Sequence, residues 1–430
     1  MINTVLSLLY AVGRRSLCSQ AMRYRRGTCT GCKFKGHGLF FGVSPDIIST
    51  ERRNASMCFT KTSSRGRQKG KAGIQIFGWE DGEDEMDTRM RAKIAAMGLV
   101  VVMGGLFAAV YGTGKNRSCT RPIFAMDTFM TFTAYGRRCE DAVDAAVLEV
   151  QRLDALWSTG DESSEVSRIN GTGKGELSKD TEKLLKRAKE IYQETGGLFD
   201  FTIYPLMRLW GFPTQEYRVP SKAELQEVLS LVDASKVQQN GREIILGDGQ
   251  EIDFGGIAKG YTSARVMEIF QEYQIESGMI SLGGNVQVLG KKPDGNRWQV
   301  GIQDPNGQTG EVLAVLEAED CAVVTSGGYE RYFEEDGNTY IHILDPRTGY
   351  PADQDLASVT IVSEDGTLAD ALSTSLYLMG SRNAEKYWQT HQDAFDMVLI
   401  TEEGTIQVTE GICKDFHSEE PYEILTGYGQ

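Results

Sequence analysis

The chain has 430 residues, 40% hydrophobic and 9% aromatic, with a formal net charge of −15, enough apolar material for a packed core. The charge is unevenly divided: residues 1–121 hold 20 Lys/Arg against 8 Asp/Glu, a net of +12, and residues 122–430 hold 25 against 52, a net of −27. So acidic a body argues against binding bare nucleic acid through phosphate neutralisation, and its three scattered cysteines, Cys139, Cys321 and Cys413, imply no disulfide framework.

Residues 1–85 are rich in Arg, Ser and Gly and show no sustained helical or strand period. They are expected to be disordered or to belong to an over-extended reading frame, with translation starting at Met86 or Met90. The codons for Gly82-Glu-Asp-Glu85 would be purine-rich, as a ribosome-binding site before Met86 requires. Cys29 and Cys32 have CxxC spacing, but no second pair completes a zinc site. Residues 86–121 read as a signal sequence or membrane anchor. Arg89, Arg91 and Lys93 precede an uncharged run over 94–111, close to the ~20 apolar residues that a bilayer core requires. The positive-inside rule then places the acidic body on the outer face of a bacterial cytoplasmic membrane, anchored or exported. Cys119 lacks the preceding Leu and small residues of a lipid-attachment site.

The body, 122–430, opens with a Phe/Thr-rich strand over 122–134. Val143, Ala146, Val147, Val150, Leu153 and Leu156 form a helical stripe over 140–156. Ser178 caps a second helix closed by Gly196-Gly197, and Ser221-Lys-Ala-Glu224 has capping-box spacing for a third. A fourth helix spans 260–273. Strands are expected at 279–282, 286–289, 298–302, 312–316, 322–325, 340–344 and 358–362, a late helix at 368–379, and a hairpin at 397–400 and 405–408. Helices and strands mix without a βαβ beat, so the expected fold is α+β, a single large domain of mainly antiparallel sheet with packed helices.

Four stretches carry chemistry. In Asp253-Phe-Gly-Gly-Ile-Ala-Lys-Gly260, two glycines allow close backbone approach and Lys259 lies in the first turn of a helix, whose free N–H groups suit phosphate. Taken alone, it reads as a glycine turn with a surface lysine, because such turns before helices are common. Asp370 and Thr374 are i,i+4 on one helix face and offer hard oxygen ligands for Mg²⁺, or are an incidental pair. His342, expected on a strand before the turn at Asp345, is either a packed core residue or a proton acceptor. Phe199-Asp-Phe-Thr202 and Ser281-Leu-Gly-Gly-Asn285 complete the set.

In this order and combination the stretches resemble the ApbE family, the FAD:protein FMN transferases. The resemblance covers about residues 126–380. Met126-Asp-Thr128 is similar to the family's Met-Gly-Thr, with Asp127 in place of glycine. Ser164-Glu-Val-Ser-Arg-Ile-Asn170 is similar to Ser-x-x-Ser-x-Ile-Asn, and Asp253 to Gly260 is the closest match. Gly160 stands where the family often carries an aromatic, with Trp157 the nearest substitute. The resemblance implies that Met126, Leu198, Phe199, Asp200, Asp253, Lys259 and His342 line an FAD site. It places Mg²⁺ between the Gly256 backbone carbonyl, Asp370 and Thr374.

Asp253, Lys259 and His342 are the candidates for the chemistry. The chemistry that the resemblance implies is Mg²⁺-dependent transfer of FMN from FAD to a Thr/Ser hydroxyl of an acceptor protein, with AMP released. The base is His342 or a neighbouring carboxylate. The acceptor implied is a flavin-carrying subunit of a membrane oxidoreductase or a related exported flavoprotein. Two alternatives remain open at this level: an FAD pyrophosphatase using water in the same site, and an exported flavin-binding protein, which has no need of the Asp370/Thr374 pair.

Overall fold

The computed structural model describes residues 117–308 and 310–427. The expectations for 1–85, for the apolar run at 94–111 and for Cys29 and Cys32 lie outside the described residues. Among the described residues no helix is long and apolar enough to cross a membrane.

The chain opens on a hairpin, β1 (Ser118–Ala125) and β2 (Thr128–Tyr135), paired from Ser118↔Tyr135 to Ala125↔Thr128. The single strand expected over 122–134 is therefore two. The reversal falls on Met126 and Asp127, with φ of 47° and 57°. Two-residue hairpins of type I′ need positive φ at both central residues. An aspartate tolerates that region through its short polar side chain, whereas methionine does not. No Gly, Pro or Asn marks the turn, so nothing local signalled it.

Five helices follow. In α1 (Cys139–Trp157) the expected stripe is buried from Val143 to Leu153, and its last member, Leu156, is half-buried against the core that also holds Leu153. α2 (Glu165–Thr172) is capped by Ser164, whose side chain accepts from the Ser167 N–H. After β3 (Lys174–Glu176) comes α3 (Lys179–Glu194), capped by Ser178 as its sequence predicts. α4 (Tyr204–Trp210) carries a proline in its first turn, and α5 (Lys222–Leu229) opens with a complete Ser221/Glu224 capping box. Helices α2 and α4 have too few turns to show a periodic stripe, and sequence reasoning missed both. β4 (Gln238–Asn240) and β5 (Glu243–Ile245) join β3 in a small sheet.

The second half supplies α6 (Ala258–Glu272) and the strands β6 (Ser277–Leu282), β7 (Asn285–Leu289), β8 (Trp298–Gln303), β9 (Val312–Ala318), β10 (Ala322–Gly327), β11 (Tyr332–Glu335), β12 (Asn338–Ile341) and β13 (Leu356–Ser363). It closes with α7 (Gly366–Met379), α8 (Ser381–Gln389), β14 (Asp396–Thr401), β15 (Ile406–Thr409), β16 (Phe416–Ser418) and β17 (Tyr422–Leu425). The main sheet runs β1-β2-β6-β7-β10-β13-β14-β15-β17. It is antiparallel throughout except for the β15–β17 pair, so the expected α+β class with largely antiparallel sheet matches the architecture.

Alternation along the central strands builds two cores. Val324 of β10, Val359 and Ile361 of β13, and Met397 and Leu399 of β14 face the helices with α7. Their sequence neighbours Val323, Val398 and Ile400 face away, against β8, β9 and β16. This is the period-2 division of a sheet covered on both faces. α7 is buried nearly all round, from Gly366 to Leu378, as a helix packed between a sheet and another helix must be.

The helix packed on α7 is α6, and Gly260 sets their spacing. A Cβ on Gly260 would lie 2.2 Å from the Gly366 carbonyl oxygen and 2.6 Å from Asp370 Cβ. Both obstacles are fixed close to backbone, so neither can swing aside. Gly260→Ala is expected to lower stability by about 1–3 kcal/mol as an overpacked contact, outweighing the helix propensity gained. Chemical denaturation of the two proteins measures it, and an unchanged midpoint would refute the contact.

Candidate active site

Four chain reversals and two helices converge on one cleft of about 400 Å³. All ten residues singled out from the sequence line it: Met126, Leu198, Phe199, Asp200, Asp253, Gly256, Lys259, His342, Asp370 and Thr374. They come from segments up to 248 residues apart in sequence, Met126 to Thr374.

Each wall has a local cause. The Met126-Asp127 turn forms one rim. The β6–β7 turn beside it runs through Gly283 and Gly284, at φ of 58° and 91°, and a Cβ on Gly283 would lie 2.1 Å from Thr128 Oγ1. Leu198, Phe199 and Asp200 follow the Gly196-Gly197 termination of α3. Asp200 is clamped there: Oδ1 accepts from the Thr202 N–H at 2.8 Å and hydroxyl at 2.6 Å, and Oδ2 from the Ala234 N–H at 3.1 Å. Burial pushes its carboxyl up against those three bonds. Its role in the fold is to hold the loop that presents Leu198 and Phe199.

Asp253 follows a backbone bond from its N–H to the Phe201 carbonyl, and its Oδ1 accepts from the Gly255 N–H at 2.8 Å. This turn delivers Gly255 and Gly256 to the cleft. Burial pushes the Asp253 carboxyl up, opposed by that N–H and by the charges of Lys259 and Arg331. Lys259 Nζ donates to the Gly255 carbonyl at 3.3 Å and lies 4.0 Å from Asp370 Oδ1.

Asp370 is 4% exposed. Its Oδ2 accepts from the Gly260 N–H at 2.8 Å. The residue before α6 is Ile257, which has no capping side chain, so α7 supplies the anion that this helix N-terminus lacks. Oδ1 is left toward Lys259 and the cleft. One turn on, Thr374 Oγ1 lies 3.3 Å from Ser326 Oγ. A carboxylate oxygen, a hydroxyl and a nearby glycine backbone are the hard donors that Mg²⁺ takes while keeping other positions for phosphate. No group of three His, Cys, Asp or Glu fit for a metal occurs among the described residues, so a softer ligand set is not offered.

His342 corrects its expected placement: β12 ends at Ile341, and His342 begins the irregular segment beyond it. Its N–H donates to the Arg331 carbonyl at 3.0 Å, and its ring Nδ1 faces the same oxygen at 3.1 Å. A carbonyl only accepts, so Nδ1 carries the proton and Nε2 keeps its lone pair. Desolvation, and then the Arg331 charge, hold the ring down to about 4. Trp157 does not substitute at the cleft for the aromatic absent at Gly160. Its indole N–H donates to Thr181 Oγ1 at 3.0 Å, and its ring packs on Phe254 and Tyr261 in the core.

Sequence reasoning assigned no role to Asp127, Asn285, Ser326, Glu330 or Arg331, which also line the cleft. The Gly283-Gly284 turn and the Thr325-Ser-Gly327 strand end were visible signals for two of them. Glu330 and Arg331 lie in a loop with no motif. Burial pushes the Glu330 carboxyl up, with Lys259 opposing.

The ApbE family matches residues 126–399. A relative named FAD:protein FMN transferase from Treponema pallidum is 31% identical over 305 residues, 66% of this chain and 84% of the relative. A relative of the same name from Klebsiella pneumoniae is 32% identical over 269 residues, 61% of this chain and 83% of the relative. The solved ApbE protein from Thermotoga maritima superposes with a TM-score of 0.66 at 33% identity, covering 70% of this chain and 99% of the other.

Proposed function

The chain belongs to the ApbE family and is an FAD:protein FMN transferase, and we propose that its cleft moves FMN from FAD onto a Thr or Ser hydroxyl of an acceptor protein, releasing AMP. The observation that carries the reading is the convergence of a helix N-terminus, Lys259 and the Asp370/Thr374 oxygens with a neutral histidine in one cleft.

Pyrophosphate is repelled by an acidic body unless cations meet it. Lys259 supplies one. Gly256, Asp370 and Thr374 would hold Mg²⁺, which when bound neutralises pyrophosphate oxygens and favours departure of the AMP phosphate. His342 Nε2 accepts the proton of the acceptor hydroxyl. The hydroxyl oxygen bonds to the phosphorus of the FMN half, the bond from that phosphorus to the bridging oxygen breaks, and AMP leaves with that oxygen. The ring must be neutral to accept a proton, and its lowered pKa keeps it so at neutral pH. Leu198 and Phe199 contribute apolar wall that excludes water, which would otherwise compete with the acceptor. We further propose that the apolar run at 94–111 holds this body at the outer face of the cytoplasmic membrane, a reading that rests on Arg89, Arg91 and Lys93 before it.

Incubating the full-length chain with FAD, Mg²⁺ and a threonine-bearing acceptor peptide is expected to yield flavin fluorescence that stays with the peptide after denaturation. Free FMN and AMP with no labelled peptide would instead make the protein a pyrophosphatase. Tight FAD binding without turnover would make it a flavin-binding protein.

A further inference from the structure

We propose that Asn285 is a recognition residue that reads the hydrogen-bonding edge of one of the two ring systems of the flavin dinucleotide. The inference rests on the reading of the cleft as an FAD site. Asn285 lines the cleft and is 1% exposed, and neither its amide nitrogen nor its amide oxygen has a hydrogen-bond partner.

Other polar groups of the cleft wall are engaged. Thr325 Oγ1 meets Thr360 Oγ1 at 2.8 Å, Ser326 Oγ meets Ser373 Oγ at 2.8 Å, and Asp370 holds the Gly260 N–H. Two residues along β7, Gln287 Oε1 accepts from Ser263 at 2.6 Å. A buried amide left without partners opposes folding, and such groups are rare unless a ligand or water completes them. The position is well fixed, because β7 begins at Asn285, which is paired with Leu282 across the Gly283-Gly284 turn and with Val324 of β10. Its backbone is therefore fixed where the rim turn meets β10, at the wall of the cleft.

The chemistry of the missing partner follows from what is unpaired. Both a donor and an acceptor are free, in one plane, on two atoms that share one carbon. Phosphate offers acceptors only and would leave the amide oxygen orphaned. A ring edge with a donor beside an acceptor satisfies both, as when Asn pairs bidentately with adenine. Within FAD two ring systems have that pattern: adenine, whose amino group lies beside N7 on one side and N1 on the other, and the isoalloxazine at its imide edge.

The test measures binding of FAD, FMN and AMP to the full-length chain by flavin fluorescence and calorimetry, in wild type, Asn285→Leu and Asn285→Asp. Asn285→Leu is expected to weaken FAD binding about 10- to 100-fold. Its melting temperature should hold or rise, because no protein hydrogen bond is lost. The mononucleotide carrying the recognised edge, FMN or AMP, should lose the same factor while the other is unaffected. Asn285→Asp, which removes the donor but keeps shape, should lose affinity in the same mononucleotide.

Unchanged affinity for all three ligands in both variants would overturn the assignment and leave the amide holding a buried water only. Equal losses for FMN and AMP with a lowered melting temperature would overturn it in favour of a structural role. A wild-type chain that binds none of the three overturns the flavin-site reading itself, whereas binding by wild type with unaltered variants overturns Asn285 alone.

Discussion

Asp370→Ala is expected to lower FMN transfer by about 10³-fold, the scale seen when a principal electrostatic stabiliser is removed from a charge-transfer site. Two losses are combined in that variant. The cleft loses the carboxylate oxygen that faces Lys259 at 4.0 Å, and α6 loses the acceptor for its Gly260 N–H. The second loss is structural and costs about 1–3 kcal/mol for a buried donor left unsatisfied. Asp370→Asn separates them, because its amide oxygen still accepts from Gly260 while the charge is gone. The expected result is near-native stability with transfer still reduced by at least about 10²-fold and a rate no longer saturating with Mg²⁺. Asp370→Asn with wild-type transfer and wild-type Mg²⁺ dependence would sink the metal assignment, whatever Asp370→Ala does.

His342→Gln is expected to reduce kcat by about 10²- to 10⁴-fold, the range for loss of a general base. Glutamine can still meet the Arg331 carbonyl that orients the histidine, so packing is largely kept. The pH profile is the sharper measurement. A base works in its unprotonated form, which for His342 persists down to about 4. The acid limb of kcat/KM, which reports the free enzyme, should therefore fall well below the ordinary histidine value of about 6.5. Bound pyrophosphate brings negative charge close and should move the limb of kcat to higher pH than that of kcat/KM.

Stability has to be followed in parallel. Between pH 6.5 and about 4 the unfolded chain protonates this histidine and the folded chain does not, so the contribution of His342 is lost as pH falls through that window. If the acid limb persists in His342→Gln with kcat intact, the base is another group, and Glu330, whose carboxyl is pushed up by burial, becomes the one to replace.

The local chemistry of the elements was legible in the linear chain. Ser178 and Ser221 announced the starts of α3 and α5, the Val143 to Leu153 stripe announced α1, and alternation announced the central strands. Those signals are local: a cap acts within one turn, and a strand declares its faces every second residue. All ten candidate residues could be named because their motifs stand in a recognisable order. Local signals failed at Met126-Asp127, which turns without Gly, Pro or Asn, and at α2, α4 and α8, which are too short for periodicity.

Only the tertiary structure decided how the named residues act. Asp370 caps a helix that begins 112 residues earlier, at Ala258, and so cannot be judged from its own helix. Trp157 is removed from the cleft by its bond to Thr181. His342 is neutral because a packed wall and Arg331 disfavour its charge, and Asn285 is unsatisfied because no partner arrives from any segment folded against it. Desolvation, charge proximity and hydrogen-bond satisfaction are sums over atoms distant in sequence, whereas capping and alternation are decided by neighbours along the chain.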